Sequence, residues 1–322
     1  MPSDDLPTPL PTISIVIPTY NRPASLHNCL MAMSQLRYPR ERVEVVIVDD
    51  GGLDDLAPLV HRNALALNIR LLRQSNTGPA GARNAGATAA RHEYLAFTDD
   101  DCLVDPDWLR ELAKPLQAHP NALIGGGSIN ALPRNRYAEA SHTILEVVND
   151  HFNSNHQRCT FFPSNNIAMP RRNYLEVGGF DPAFRWSEDR DLCDRWSAKG
   201  WPLVYAPAAL ISHARDMSLW GFCEQHFSYG RGAWLFHRAR KARQSGDFEV
   251  EGSFYMKCFR RPFESRRKSQ AVPAAVLMGI WQLANAAGFA YEAVRSRSPA
   301  RSNASGGAGA RRSPNSRDLP AA

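Results

Sequence analysis

Three short apolar runs in the first hundred residues each end in a polar cluster, and this repetition constrains the fold more than any other feature of the chain. Ile13–Ile17 (ISIVI) ends at Pro18, with Thr19, Tyr20 and Asn21 following. Val43–Val48 (VEVVIV) ends at Asp49-Asp50-Gly51-Gly52, and Tyr94–Thr98 at Asp99-Asp100-Asp101. Such runs read as strands buried on both faces. Ile69–Leu72 reads as a further strand. Between the strands lie helical stretches: one opened by Pro23 with Leu26, Leu30 and Met33 on one face, and the small-residue segment Gly78–Ala90. Pro106–Leu116 repeats the helical spacing through Leu109, Leu112 and Leu116. The βαβαβ order predicts an α/β chain with a mostly parallel sheet and helices on both faces. In such sheets ligands bind at the carboxyl ends of the strands. One cluster alone is as readily a turn or a helix cap, but three at three strand ends point to a shared site.

Further along, Ala131–Arg158 is polar and aperiodic and is left unplaced. Phe161–Met169 reads as a strand and Glu188–Lys199 as a helix stopped by Gly200. Pro202–Ala206 reads as a short strand, and the chain is largely helical after His213. The expected organisation is a disordered N-terminus (1–11), a catalytic domain (12–215), a helical extension (216–294) and a disordered basic tail (295–322).

The net charge of +6 hints at nucleic acid until it is located. Arg295, Arg297, Arg301, Arg311, Arg312 and Arg317 stand against Asp318 alone, so the last 28 residues hold +5 and the remainder about +1. The basic balance therefore reports a tail, and no nucleic-acid partner is expected. Six cysteines without CxxC spacing read as reduced thiols of an intracellular protein. Met1–Thr12 has no apolar core of a secretion signal, so a cytoplasmic location is expected.

The acidic clusters suggest a chemistry. Departure of a nucleoside diphosphate needs its charge neutralised, and hard divalent cations seek carboxylate oxygens. In an extended Asp-x-Asp the outer side chains share one side of the chain. Asp99 is thus expected to face the nucleotide and Asp101 the metal, with Asp100 less defined. Ser187-Glu188-Asp189 opens a helix, where carboxylates serve as caps; the functional alternative makes Asp189 a general base. The local sequence leaves both readings open.

Ser14–Asn21 (SIVIPTYN), Val46–Gly51 (VIVDDG), Gly81–Asn84 (GARN), Ala96–Asp101 (AFTDDD) and Gly178–Asp189 (GGFDPAFRWSED) resemble, in order and spacing, the inverting family 2 glycosyltransferases of GT-A fold. Arg190–Gly200 continues the likeness, which covers residues 12–215. The resemblance implies a Rossmann-like GT-A sheet and a metal-dependent hexosyltransferase with Mn²⁺ or Mg²⁺ as cofactor. It implies that Pro18, Thr19 and Tyr20 line the nucleoside pocket, that Asp50 bonds a pyrimidine base, and that Arg83 approaches the base or diphosphate. Asp99 and Asp101 become the outer carboxylates of the DxD element, with Asp100 between them beside the nucleotide. Asp189 becomes the base of the "ED" motif. Ser164, Asn165, Asn166, Gly178, Gly179 and Glu188 would lie by donor sugar and acceptor, and His213 takes a place where some GT-A enzymes supply a further metal ligand. The donor would be a UDP- or dTDP-type sugar nucleotide, and the acceptor a carbohydrate or lipid-linked hydroxyl in polysaccharide or glycoconjugate assembly. The Gln-x-x-Arg-Trp motif of processive synthases has no match here, which favours addition of a single sugar.

Competing readings are weaker. A Rossmann oxidoreductase needs GxGxxG after the first strand, where this chain has Pro18-Thr19-Tyr20-Asn21-Arg22-Pro23. An inactive sugar-nucleotide-binding module conflicts with the intact acids, and a nucleotidyltransferase lacks its glycine-rich phosphate loop. Ala271–Tyr291 is largely apolar with basic flanks. Three placements compete for it: packing on the catalytic domain, peripheral contact with the cytosolic face of an anionic inner membrane, and a bilayer span.

Overall fold

The computed structural model describes residues 9–153, 159–248, 251–265 and 268–297. The outer parts of both expected disordered termini lie outside these residues. An eight-stranded sheet forms the centre: β1 (Ile13–Thr19), β2 (Val43–Asp49), β3 (Ile69–Arg73), β4 (Tyr94–Thr98), β5 (Cys102–Val104), β6 (Leu123–Asn130), β7 (Asn166–Pro170) and β8 (Leu203–His213), in spatial order 3-2-1-4-7-6-8-5. β3, β2, β1 and β4 run parallel. β7 is antiparallel to both its neighbours, β6 and β8 run parallel, and β5 closes the edge antiparallel to β8.

Side chains alternate across the sheet as strand geometry requires. Ile13, Ile15, Ile17, Val45 and Ile47 pack on one face against α1 (Pro23–Met33), α2 (Ala57–Asn63) and α4 (Trp108–Ala118). Val16, Val46, Val48, Leu95 and Phe97 pack on the other against α3 (Gly78–Ala89), α6 (Arg171–Glu176) and α7 (Glu188–Ala198). These are the helices on both faces that the βαβ rhythm predicts.

Four more helices stand among the described residues: α5 (Arg136–Phe152), α8 (Leu219–Arg243), α9 (Gly252–Ser265) and α10 (Lys268–Arg295). They share a core of their own in which Ile144, Val147, Phe222, Cys258, Met278 and Trp281 meet. Arg243 ties the end of α8 to α7 through Asp191 and Asp194, each at 2.8 Å. α10 packs along α8, so its apolar residues are partly spent on the protein itself. Its outer stripe (Val272, Val276, Leu283, Val294) is exposed. By length and composition Ala271–Arg295 is long and apolar enough to cross a bilayer.

The α8–α10 crossing depends on two glycines. A Cβ on Gly230 would lie 1.9 Å from the Asn285 carbonyl oxygen, and one on Gly288 1.9 Å from that of Phe227. Both obstacles are opposing backbone, which cannot step aside as a side chain can. Gly288→Val is therefore expected to destabilise the protein by roughly 1–3 kcal/mol through overpacking, read as a lower thermal midpoint. Gly279→Ala, on the same helix with nothing within 4 Å of its Cβ, is expected to leave the midpoint unchanged or raise it. Equal effects of the two substitutions would contradict the close crossing.

Candidate active site

The carboxyl ends of β1, β2 and β4 open into a cavity of about 1800 Å³ lined by Pro18, Thr19, Tyr20, Asp50, Arg83, Asp99, Asp101, Asn165, Glu188, Asp189 and His213. Residues far apart in the chain thus share one cleft, as the recurring strand-end clusters predict. Asp100, Asn166, Gly178 and Gly179 are not among its lining residues.

Asp99–Asp101 leave β4 at its carboxyl end and divide by environment. Asp99 is partly exposed and accepts from Arg83 at 2.7 Å. Asp100 turns inward and is fully buried. It accepts from the Thr19 hydroxyl at 2.7 Å and pairs with Arg22 at 2.6 Å. Burial pushes its pKa up to about 7, against the pull of Arg22 and Thr19. Asp101 faces the cleft and accepts from Arg22 at 2.8 Å. His213 Nε2 stands 3.3 Å from its other oxygen. Burial would raise the Asp101 pKa, but the His213 and Arg22 contacts outweigh it and hold the carboxyl well below the usual range.

The meeting of Asp101 with His213 follows from strand pairing. β5 begins one residue after Asp101 and pairs antiparallel with β8, with Cys102 opposite His213. The Ala214 N–H donates to the Asp101 carbonyl at 2.9 Å and fixes the register. Asp101, Cys102 and His213 bring their ligand atoms within 4.8 Å of one another. Burial keeps the Cys102 thiol well above its usual pKa, so Asp101 is the anionic member of the group. A carboxylate and an imidazole on one side of an open cleft suit Mn²⁺ or Mg²⁺ with the remaining positions left to phosphate oxygens.

Arg83, on α3, is buried and bridges two acids, Asp99 and, at 3.0 Å, Glu188. Burial would lower its pKa, but the two carboxylates hold it well above its usual value. Glu188 and Asp189 begin α7 immediately after Ser187, a non-glycine residue at φ 67°. Such left-handed backbone is uncommon outside glycine and clusters at functional sites. α8 presses on this turn: a Cβ on Gly232 would lie 2.6 Å from the Ser187 hydroxyl. The Asp189 carboxylate accepts from the Arg190 N–H at 2.8 Å and the Ser164 N–H at 3.4 Å. Burial raises the pKa of both acids, and their proximity adds to it at Glu188.

Asp50 and Asn166 are also engaged by the scaffold. Asp50 caps α3, accepting from the Thr77 N–H at 3.0 Å, the Gly78 N–H at 2.9 Å and the Gln74 amide at 2.7 Å. One lone pair on its outer oxygen remains. Asn166 is saturated within the sheet: its amide donates to the Gly127 and Ala209 carbonyls, and its oxygen accepts from the Trp108 indole. Its neighbour Asn165 carries a buried oxygen without a partner. Gly178 and Gly179 form the left-handed turn after α6 at φ 86° and 65°. Arg22, which clasps both Asp100 and Asp101, is absent from the expected set; its one sequence signal is its place in the turn after β1.

The sequence profile of glycosyl transferase family 2 matches residues 14–178, half of the chain. The chain belongs to glycosyl transferase family 2. It is 30% identical over 229 residues to validoxylamine A glucosyltransferase of Streptomyces hygroscopicus subsp. jinggangensis, covering 61% of this chain and 53% of that one. It is 28% identical over 229 residues to pre-mycofactocin glycosyltransferase of Mycobacterium tuberculosis, covering 69% and 46%. The chain thus spans about half the length of these curated relatives. Among solved structures, the mannosyltransferase of Pyrobaculum calidifontis in complex with GDP-Man and Mn²⁺ superposes with TM-score 0.59 at 20% identity, over 90% of this chain and 81% of that one. GalNAc-T7 with UDP, GalNAc and Mn²⁺ gives TM-score 0.52 at 16% identity, over 77% and 55%. The fold is GT-A, with a helical C-terminal region.

Proposed function

We propose that this family member is an inverting glycosyltransferase that moves a single sugar from a UDP- or dTDP-type donor to an acceptor hydroxyl, with a divalent cation at Asp101 and His213. The observation that carries the reading is the convergence of Asp101 and His213, 112 positions apart in sequence, in one cavity with the raised-pKa acid Asp189. The cation, when bound, neutralises charge on the departing diphosphate.

The chain's own residues do the rest. Asp101 is held ionised by Arg22 and His213. Asp189 takes the proton from the acceptor hydroxyl as its oxygen bonds to the anomeric carbon and the sugar–phosphate bond breaks on the opposite face. The configuration at that carbon is therefore inverted. A carboxylate whose burial raises its pKa is a stronger base than one in water, which suits this role. Arg83, neutralised by Asp99 and Glu188, holds the nucleotide-side and base-side acids at a fixed spacing. Work at the cytosolic side, in polysaccharide, lipid-linked glycan or glycoconjugate assembly, belongs to the same reading.

Nucleotide choice tests it. The remaining lone pair of Asp50 can accept from the N3–H of uracil or thymine. UDP and dTDP with Mn²⁺ are expected to raise the thermal midpoint, a ligand at a hundred times its Kd being worth about 2.7 kcal/mol. GDP is expected to have little effect. A shift with GDP and none with UDP would overturn the donor assignment, and no shift with any nucleotide would overturn the transferase reading.

A further inference from the structure

The cavity continues past the carboxylates into a chamber beneath α8, α9 and α10, where its wall becomes aromatic through Phe161, Tyr229, Tyr255, Trp281 and Phe289. Two polar side chains there have no hydrogen-bond partner among the described residues. The Arg190 guanidinium rests over the Phe161 ring, 5.2 Å from its centroid. The titratable groups that act on it are Asp189, the preceding residue, then Tyr255, Tyr229 and Cys193, and it acts in turn on His237. Among the described residues no carboxylate pairs with it. The buried Arg83, and Arg195 and Arg231, which are part-buried as Arg190 is, each hold a carboxylate within 3.0 Å. An arginine stays protonated at any working pH, and a sheltered cation without a counter-ion is costly.

The second group is His226 on α8, 2% exposed, with both ring nitrogens unpartnered. Burial pulls its pKa down to about 3, so the ring is neutral and presents one donor and one acceptor. It lies edge-on to Phe222 at 4.5 Å and to Trp281 at 6.4 Å.

We infer that this chamber is the acceptor subsite and that it selects an acceptor whose apolar or aromatic body carries an oxyanion, a carboxylate or a phosphate, bound by Arg190. The inference rests on the glycosyltransferase reading and names its acceptor class. Arg190 directly follows the proposed base, so an anion held there sets a hydroxyl of the same small molecule beside Asp189. The donor diphosphate belongs on the other side, by Asp101 and His213. The aromatic rings bury the acceptor's apolar body, and His226 satisfies one further polar group on it.

The test uses 2-naphthyl phosphate, 2-naphthoate, 2-naphthol and inorganic phosphate as probes on the full chain, with quenching of tryptophan fluorescence as readout, with and without UDP and Mn²⁺. One or both naphthyl anions are expected to bind at least about tenfold more tightly than naphthol or inorganic phosphate, since a hydrogen bond to a charged group is stronger than one between neutral groups. Which anion binds better tells phosphate from carboxylate. Arg190→Gln is expected to remove that preference and Arg190→Lys to restore part of it, both with UDP binding intact. Equal binding of naphthol and the anions to the wild-type protein overturns the inference, even if the variants fail to fold. So does competition of the naphthyl anions with UDP, which would assign Arg190 to the donor. If UDP fails to bind while the naphthyl anions bind through Arg190, the chamber stands and the transferase reading falls.

Discussion

Asp189→Asn is expected to lower sugar transfer roughly 10²–10⁴-fold, the usual contribution of a positioned general base, while UDP binding and the thermal midpoint stay close to wild type. Asn keeps one oxygen to accept from the Arg190 N–H at 2.8 Å, while its NH2 replaces the oxygen that accepts from the Ser164 N–H at the longer 3.4 Å. The substitution thus removes the proton acceptor and spares the shorter contact of the cap. A purely capping Asp189 predicts the reverse pattern, with transfer preserved and the thermal midpoint slightly lowered. The pH profile separates the roles further. The base must be unprotonated to act, and burial raises the Asp189 pKa. Activity should therefore fall as pH drops through a value above the ordinary aspartate pKa of about 3.9. The residual activity of Asp189→Asn should lack that acidic limb. A variant with normal turnover, or one keeping the limb unchanged, would remove Asp189 from the mechanism. So would a product that retains the anomeric configuration.

What the sequence made legible was the half of the fold built from strong local signals. β1, β2 and β4 are continuous apolar runs because both faces are covered, and their ends are marked by Pro18, Asp49-Asp50 and Asp99-Asp100. Elements dictated by tertiary contacts escaped. β6 contains Gly125-Gly126-Gly127, a composition that weakens a strand signal. It is a strand through its pairing with β7 and β8, and its glycines admit the Phe162 ring and the Asn166 amide, which a Cβ would meet at 2.0 and 2.3 Å. β5 is three residues long and exists through its pairing with β8. α5 turns Ile144, Val147 and Val148 towards α9 and α10 rather than the sheet, and its remaining surface is polar, so its period was faint.

The same division runs through the site. Asp99, Asp101 and Asp189 were visible as acids at element ends, and the family resemblance located His213. The clasp of Arg22 on Asp100 and Asp101 was not visible, because it depends on the left-handed Asn21 (φ 53°) turning the chain after β1. Nor could spacing show that Asp50 is engaged by the start of α3, or that Asn166 is used up inside the sheet while Asn165 faces the cavity. Arg190 was hidden for a related reason: its lack of a carboxylate is a property of the helices packed over it.

The second large effect is expected at Asp101. In the proposed site, Asp101→Asn removes the ionised ligand that follows β4, leaving the His213 imidazole as the protein's principal donor. Disturbing groups merely adjacent to metal ligands typically costs 10–100-fold in affinity, so loss of the ligand's charge is expected to weaken Mn²⁺ binding by at least that much and to abolish measurable transfer. Binding can be read without catalysis, from the free Mn²⁺ signal in electron paramagnetic resonance as metal is titrated into protein with UDP. Asp100→Asn is the informative companion. Asp100 is fully buried and held by Thr19 and Arg22, so its substitution should lower the thermal midpoint while Mn²⁺ affinity changes far less. In Asp101→Asn the order of effects should invert, because Asn still accepts from Arg22 while the charge facing His213 is gone. If Asp101→Asn titrates with Mn²⁺ as the wild type does and transfers sugar in chelator-treated, Mn²⁺-restored assays, the cation is held elsewhere and Asp101 serves to anchor Arg22.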